Sequence, residues 1–498
     1  MPHDADICLI VEGGYPYTLG GVASWMDAQM RASPDLRFHV IAIGISSQPR
    51  IAKYQIADNL AGITDVILDQ CPRGRPPSRR DVADIHRGVR LMSEALSETP
   101  GESFVALIDL VRRTGLGQDA LLDSKAAWAA TEEVYRETLP DGSFIDFFWS
   151  WRFLARSLLA VVNTPLPRVR VFHAVATGFA GIVGAYAKHA TGRPLVVTEH
   201  GIYTKERRID LGVAEWLHDS GSGGFAVAGR PVQLRDVWLG AFAGFSRISY
   251  DLADAVTTQY GANQQSQRAD GAAEDKLLII QNGIDVDRFG RIERSTAPRP
   301  PTVLMIARIV PIKDIRTFIT AVSFLRDLVP DVLAVIIGPE DEDPSYAAGC
   351  RALVDQLGLE ANLRFLGRVP EVTTYLGQAD VIALSSISEA QPIALLEAAA
   401  TGLPAVTTDV GSCREIIEGF EGDPVVGRGG YVVEACNPKA MAQALAAILL
   451  DADLRDRMGQ VMLRRIPSLY HKERIRKLYE ELYDRLDAEG PVRRPQLA

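Results

Sequence analysis

Short runs of aliphatic and β-branched residues alternate along the chain with longer segments of helical periodicity, the pattern of parallel sheets flanked by helices. Ile7–Val11 predicts a strand, followed by a glycine-rich loop and a helix from about Val22. Arg37–Gly44, Val169–Phe172 and Pro194–Thr198 predict further strands. From about 46 to 165 the pattern is mainly helical and reads as an insertion, broken by an exposed loop, PRGRPPSRR, at 72–80. Lys276–Gln281 is one more strand, and RIERSTAPRPPT at 291–302 reads as the domain boundary. Beyond it the alternation restarts with Val303–Ala307, Val332–Gly338, Leu363–Leu366, Val381–Ser385 and Ala405–Thr408. The expected organisation is an α/β chain with two Rossmann-like, doubly wound domains, 1–292 and 300–470. A carboxyl-terminal piece, 471–498, follows, with a helix over about Lys472–Ala488 that crosses back to the first domain and a frayed end, GPVRRPQLA.

The most apolar run, Val171–Ala187, carries His173 and three glycines, and reads as buried helix rather than a membrane span. The start, MPHDADICLIVEGG, lacks a cationic leader and reads as a strand. At 498 residues the chain exceeds what one hydrophobic core organises, and at 47% hydrophobic and 23% charged it has the composition of a globular protein. The net charge of −10, with no Lys/Arg cluster interleaved with aromatics, argues against nucleic acid as a partner. Five scattered cysteines without CxxC, and no His at ligand spacing, point to a reducing cytoplasm and to no metal site.

Ligands of open α/β sheets bind beyond the carboxyl ends of strands, which directs attention to five segments. In SEAQPIALLEAAATGLPAV, residues 388–406, Pro392 suits the first turn of a helix of about ten residues and Gly402 its end. Glu397 is the only ionisable residue from Pro392 to Thr408, and a lone carboxylate on an apolar helix is costly to bury unless something binds it. Glu389 lies roughly 10 Å away along the helix, too far for the paired carboxylates of a retaining glycosidase, which need about 5 Å. The two could grip two ends of one extended ligand; equally, Glu397 could meet a structural Arg while Glu389 caps the helix.

In MIARIVPIKDIRTF, Arg308 and Lys313 stand between a strand and a helix, suited to a diphosphate or simply solvated. EGGYPYTLGGVASW pairs glycines at 13/14 and Gly20/Gly21, which let backbone approach a phosphate or sugar, or merely serve a loop needing positive φ. In VVTEHGIYTKERRID, Glu199 and His200 directly follow a strand; His200 suits a sugar contact or a structural hydrogen bond. TDVGSCREII, residues 408–417, places a Gly-Ser turn after a strand.

Together, ARIVPIK, SEAQPIALLEAAATGLPAV and TDVGSCREII resemble the carboxyl-terminal donor domain of a glycosyltransferase of family four, with its E-x7-E element at Glu389 and Glu397. EGGYPYTLGGVASW, TEHGIYTKE and IIQNGIDVDRF extend the resemblance to family members of bacterial exopolysaccharide synthesis. It implies the GT-B fold, two Rossmann-like domains facing across a cleft, the first on the acceptor side and the second holding the nucleotide sugar. Arg308 and Lys313 would neutralise the diphosphate, Glu397 hold the ribose and Glu389 the transferred sugar, with backbone N–H groups of Gln391, Pro392, Ile393 and Ala394 assisting at the phosphates. His200 and the Gly20–Gly21 turn would face the donor sugar and acceptor. The chain departs from the family's usual glycines at Ala307 and Asp314.

The implied reaction is retaining hexosyl transfer from a UDP-sugar, UDP-glucose favoured, to a saccharide acceptor. It needs no cofactor, and Arg and Lys supply the charge that a metal would otherwise give. An inner-membrane polysaccharide export complex is the implied protein partner. Two other readings keep the same fold: a non-catalytic sugar-nucleotide-binding subunit of a polysaccharide synthase, and an epimerase or phosphorylase, since fold does not fix reaction.

Overall fold

The computed structural model describes residues 3–18, 20–45, 50–97, 100–212 and 232–489. The chain divides into two compact units: Met1–Thr258 with Asn263–Ile279 and Tyr479–Ala498, and Gln259–Ala262 with Ile280–Leu478.

The first unit holds a seven-stranded parallel sheet of β1 (Ile7–Glu12), β2 (Phe38–Gly44), β3 (Leu60–Ile67), β4 (Val171–Ala174), β5 (Leu195–Glu199), β6 (Ala255–Thr258) and β7 (Leu277–Ile279). Their order is β3-β2-β1-β4-β5-β6-β7, reversing between β1 and β4. Register runs Ile7 to Phe38 on one side and Ile7 to Val171 on the other. The inner strands are apolar because helices bury both their faces. Between β3 and β4 lie helices Val82–Ala95, Pro100–Thr114, Lys125–Thr138 and Phe144–Val161, which share one core with the sheet through Leu107, Leu154 and Phe172. The stretch 72–80 is exposed throughout.

The second unit repeats the plan with β8 (Thr302–Ile306), β9 (Leu333–Ile337), β10 (Leu363–Phe365), β11 (Val381–Leu384), β12 (Ala405–Thr408) and β13 (Gly430–Val433). The order β10-β9-β8-β11-β12-β13 reverses between β8 and β11. Alternate residues feed separate cores on the two faces: Val303 and Met305 of β8 pack on one side and Leu304 on the other. This is the α/β, two-domain Rossmann-like architecture expected from the pattern.

Several expectations are corrected. The second unit starts at Ile280, ahead of 291–302, because Ile284, Val286 and Phe289 are buried in its core against Leu395 and Leu396. Val171–Ala187 is not one helix but strand β4 and then the helix Phe179–Thr191, separated by a turn ending at Gly178. Strand β3 lies inside the segment read as mainly helical, and β6 and β13 complete the two sheets. The helix after Glu389 spans only Ile393–Ala400, with Pro392 at its N-cap in extended backbone, φ −74° and ψ 109°. The tail helix covers Lys472–Glu489, and from Tyr479 it belongs to the first unit, where the Tyr483 hydroxyl lies 2.7 Å from His173 Nδ1. The stretch GPVRRPQLA, and residues 46–49 at the start of the expected insertion, lie outside the described residues. Among the described residues no helix is long and apolar enough to cross a membrane.

Candidate functional site

In the second unit the loops after β8 and β11 meet where the strand order reverses, the place where open α/β sheets bind ligands. Lys313 Nζ donates to Glu389 Oε1 at 2.5 Å, and Ser386 Oγ donates to the same oxygen at 2.6 Å. The loops are also joined by backbone: Ile387 N–H donates to Ile312 C=O, and the Ser385 hydroxyl to the carbonyls of Lys313 and Asp314. Both charged side chains of the pair are mostly shielded from solvent. The sequence placed each after a strand; the structure brings them together.

Arg308 goes elsewhere. Its Nη1 contacts both carboxylate oxygens of Glu342, at 2.5 and 2.6 Å, in the acidic turn after β9, and both side chains are 51% exposed. Backbone constraint sets that turn beside Arg308, since a Cβ on Gly338 would stand 1.9 Å from the Ala307 carbonyl oxygen. Asp314 occupies left-handed backbone, φ 45°, which explains why glycine suits this position and why Asp tolerates it. Its carboxylate accepts from Thr317 N–H and so caps the helix Ile315–Leu328.

Glu397 is half-buried on the Ile393–Ala400 helix and accepts no hydrogen bond among the described residues. Burial pushes its carboxyl up to about 7, against the weaker opposing pull of Arg288. Arg288 itself is bonded to both oxygens of Glu371, so Glu397 has no structural Arg partner. The carboxylate is therefore a hydrogen-bond acceptor without a donor, buried at a cost that a ligand's hydroxyls would offset.

The backbone donors expected over Gln391–Ala394 need one correction: Pro392 has no N–H. Those of Ile393 and Ala394 remain without intrahelical acceptors in the first turn. The Gln391 side chain is buried and accepts from Asn282 N–H at 2.5 Å, which ties the segment after β7 to the Glu389 loop. On the other flank, Gly411 has φ 54°, and a Cβ there would lie 2.2 Å from the Ala390 carbonyl oxygen and 2.5 Å from that of Glu389. Ser412 N–H donates to Ala390 C=O at 2.8 Å. The Gly-Ser turn thus sets the position of Glu389, a role its spacing alone did not reveal.

In the first unit, His200 follows β5 and packs edge-on against Trp25 of the Gly21–Ala32 helix, centroids 4.9 Å apart. Burial holds its imidazole down at about 4, so it is neutral at neutral pH. Glu199 before it is fully buried and accepts from Tyr250 OH, Thr177 Oγ1, Gln267 Nε2 and Tyr203 N–H. That network fixes the strand end from which His200 projects. Gly20 and Gly21 open the Gly21–Ala32 helix; Gly20 is in extended backbone, neither lies in the left-handed region, and a Cβ on either would meet nothing within 4 Å. The fold does not require glycine there. Where this sheet's order reverses, Glu12 Oε2 at the end of β1 accepts at 3.0 Å from the N–H of Phe179, the first residue of the helix after β4, a contact that sequence reading missed. Among the described residues no group of three His, Cys, Asp or Glu gathers as metal ligands would.

Two parallel sheets that reverse order at their centres, one with a cation–carboxylate pair at the reversal, define a protein of two Rossmann-like domains with its charged site in the second. The chain belongs to the family described as "Domain of unknown function (DUF3492)", which matches residues 5–275, and residues 290–462 match "Glycosyl transferases group 1". It is similar to the D-inositol 3-phosphate glycosyltransferase of Corynebacterium glutamicum (strain R), 30% identical over 224 residues, 41% of this chain and 51% of that protein. Another relative is the N,N'-diacetylbacillosaminyl-diphospho-undecaprenol alpha-1,3-N-acetylgalactosaminyltransferase of Campylobacter jejuni, 26% identical over 48% of this chain and 62% of that one. The chain spans about half the length of the curated relatives it matches. In fold it resembles the sucrose-phosphate synthase of Thermosynechococcus elongatus, with TM-score 0.60, 16% identity, and 97% of this chain and 100% of that chain covered. Anabaena Alr3699/HepE, solved with UDP, gives TM-score 0.58, 14% identity, and 96% and 100% coverage. These likenesses show the GT-B fold class.

Proposed function

We propose that the protein is a retaining, metal-independent glycosyltransferase that uses a UDP-sugar, UDP-glucose first, in the cytoplasmic stage of bacterial exopolysaccharide synthesis. The observation that carries this reading is the Lys313–Glu389 pair at the β8/β11 reversal, with the donorless Glu397 on the next helix. The names of the relatives in sugar transfer support the reaction class. The resemblance of EGGYPYTLGGVASW, TEHGIYTKE and IIQNGIDVDRF to PelF supports the finer placement in Pel polysaccharide synthesis, with an inner-membrane export complex as partner.

Lys313 would sit between the Glu389 carboxylate and the diphosphate, screening one anion from the other while Glu389 takes hydroxyls of the sugar. Arg308 would leave Glu342 for a phosphate oxygen; an exposed ion pair is worth about 0–1 kcal/mol, so the exchange costs little. The N–H groups of Gln391, Ile393 and Ala394 would complete the phosphate contacts, and Glu397 would accept from the ribose hydroxyls. In the first unit, neutral His200 would hydrogen-bond a sugar hydroxyl, and the Gly20–Gly21 backbone would approach it closely. The acceptor hydroxyl oxygen bonds to the anomeric carbon, the bond from that carbon to the phosphate oxygen breaks, and the acceptor's proton passes to the leaving diphosphate.

Purified protein mixed with a panel of UDP-sugars and a saccharide acceptor tests the reading. Release of UDP with a matching glycosylated product from one donor is expected. Binding of UDP with no turnover of any donor would replace this reading with the non-catalytic subunit.

A further inference from the structure

The Phe144–Val161 helix, FIDFFWSWRFLARSLLAV, is apolar on two faces. Phe147, Trp151, Leu154 and Leu158 lie inward and are buried in the first unit's core. The outer face carries Ile145, Phe148 and Trp149 at helical spacing, and there Ile145 is 66% and Trp149 63% exposed. Helices apolar all round are normally covered.

The neighbouring helix Lys125–Thr138, joined to it by residues 139–143, extends the apolar face. Trp128, 46% exposed, packs against Phe144 and Phe148 with centroids 5.6 and 5.3 Å apart, and Phe148 packs against Trp149 at 5.3 Å. The result is one continuous aromatic surface across the αα-hairpin rather than scattered single residues, which would need no explanation. Exposed tryptophans grouped in this way are the side chains that dominate protein interfaces.

The surrounding charge selects the occupant. From Asp123 to Arg152 the acids outnumber the bases six to three. Four of the six acids have partners: Asp123 with Arg152, Glu132 with Arg136, and Glu133 and Glu137 with His86 and Arg90 of the adjacent Val82–Ala95 helix. The free negative charge is that of Asp141 and Asp146, on either side of Phe144, which form no ion pair among the described residues. An acidic rim repels an anionic lipid surface, and facing rims of two copies repel each other. It attracts lysine and arginine flanking an apolar stripe, the recognition mode of a helix laid on a hydrophobic face.

We propose that this aromatic face of the helical hairpin is a docking surface for an amphipathic helix of another protein, one bordered by basic residues. The surface lies outside the residues assigned to the donor and acceptor, so occupancy is separable from UDP binding.

The test uses a fluorescent helical peptide with leucines on one side and lysines on the other, beside a leucine–glutamate peptide of the same pattern. The leucine–lysine peptide should bind the full chain, and more weakly as salt rises. Ile145→Ser with Trp149→Ser should weaken it about tenfold or more, and Asp141→Lys with Asp146→Lys should weaken it too, both without change in UDP affinity. Absence of binding, equal binding of the two peptides, or equal binding by wild type and the Ile145/Trp149 variant would overturn the proposal. So would a dimer in sedimentation, or flotation with phosphatidylglycerol vesicles, if that same variant abolished it, because a second copy or a lipid surface would then be the occupant.

Discussion

Lys313 Nζ and Glu389 Oε1 lie 2.5 Å apart although 76 positions separate them in sequence, and they meet between the strands where the second sheet reverses order. The pairing changes what each carboxylate variant should do. Glu389→Gln removes the partner that holds Lys313, so UDP affinity should be unchanged or higher while the extra affinity of a UDP-sugar and its turnover fall. Glu397→Gln should weaken UDP and UDP-sugar alike, because the ribose is common to both. Calorimetry with the two ligands separates the outcomes; equal loss of UDP affinity in both variants contradicts the assignment.

The Glu397 carboxyl, raised by burial from 4.5 to about 7, makes a pH prediction. A carboxyl whose folded pKa is raised keeps its proton in the folded state between the two values, so it costs stability progressively as pH climbs through that window. Relative to wild type, Glu397→Gln should gain melting temperature from pH 5 to pH 8. Ribose hydroxyls that donate to the ionised form favour it, so wild-type affinity for UDP-glucose should rise with pH through about 7, and the Gln variant should lose that rise. Parallel pH profiles would detach Glu397 from the ligand.

Two glycines should behave in opposite ways. A side chain at Gly21 enters open space, so Gly21→Val should fold with an unchanged melting temperature and lose turnover. Gly411→Ala places a side chain on left-handed backbone against the Glu389 loop, which costs about 1–3 kcal/mol from backbone strain alone. It should lower both melting temperature and sugar-dependent affinity. Normal turnover in the Gly21 variant would detach that turn from the sugar.

Most of the second sheet was legible because β8, β9, β11 and β12 are short apolar runs buried on both faces, the last three followed by Gly338, Ser385 and Asp409. β3 escaped because its half-exposed edge sequence, LAGITDVI, alternates weakly and carries Gly62 and Asp65. β4 lies two residues beyond the strand expected at Val169–Phe172, and the run Val171–Ala187 reads as helix because an apolar run has no period of its own. At the site, Lys313, Glu389 and Glu397 could be singled out by their place after strands or on an apolar helix. Their partners could not: Glu342 sits in an acidic run that reads as solvated surface, and Gly411 is constrained by carbonyls 21 and 22 positions away in sequence. Such contacts depend on tertiary register.

Because Arg308 and Lys313 carry the positive charge assigned to the leaving diphosphate, transfer from the preferred UDP-sugar should continue in excess EDTA. Activity abolished by EDTA and restored by Mg²⁺ or Mn²⁺ would contradict that division of labour.

The most direct measurement of the central claim, that the β8/β11 reversal holds the diphosphate of a UDP-sugar, is calorimetric titration of UDP into wild type, Lys313→Ala and Arg308→Ala. A charge-assisted bond to the diphosphate is worth about 1.5–3 kcal/mol, so Lys313→Ala should bind UDP at least about tenfold more weakly, and Arg308→Ala less so because its guanidinium is the more exposed. Wild-type affinity in both variants would mean that the diphosphate does not bind there.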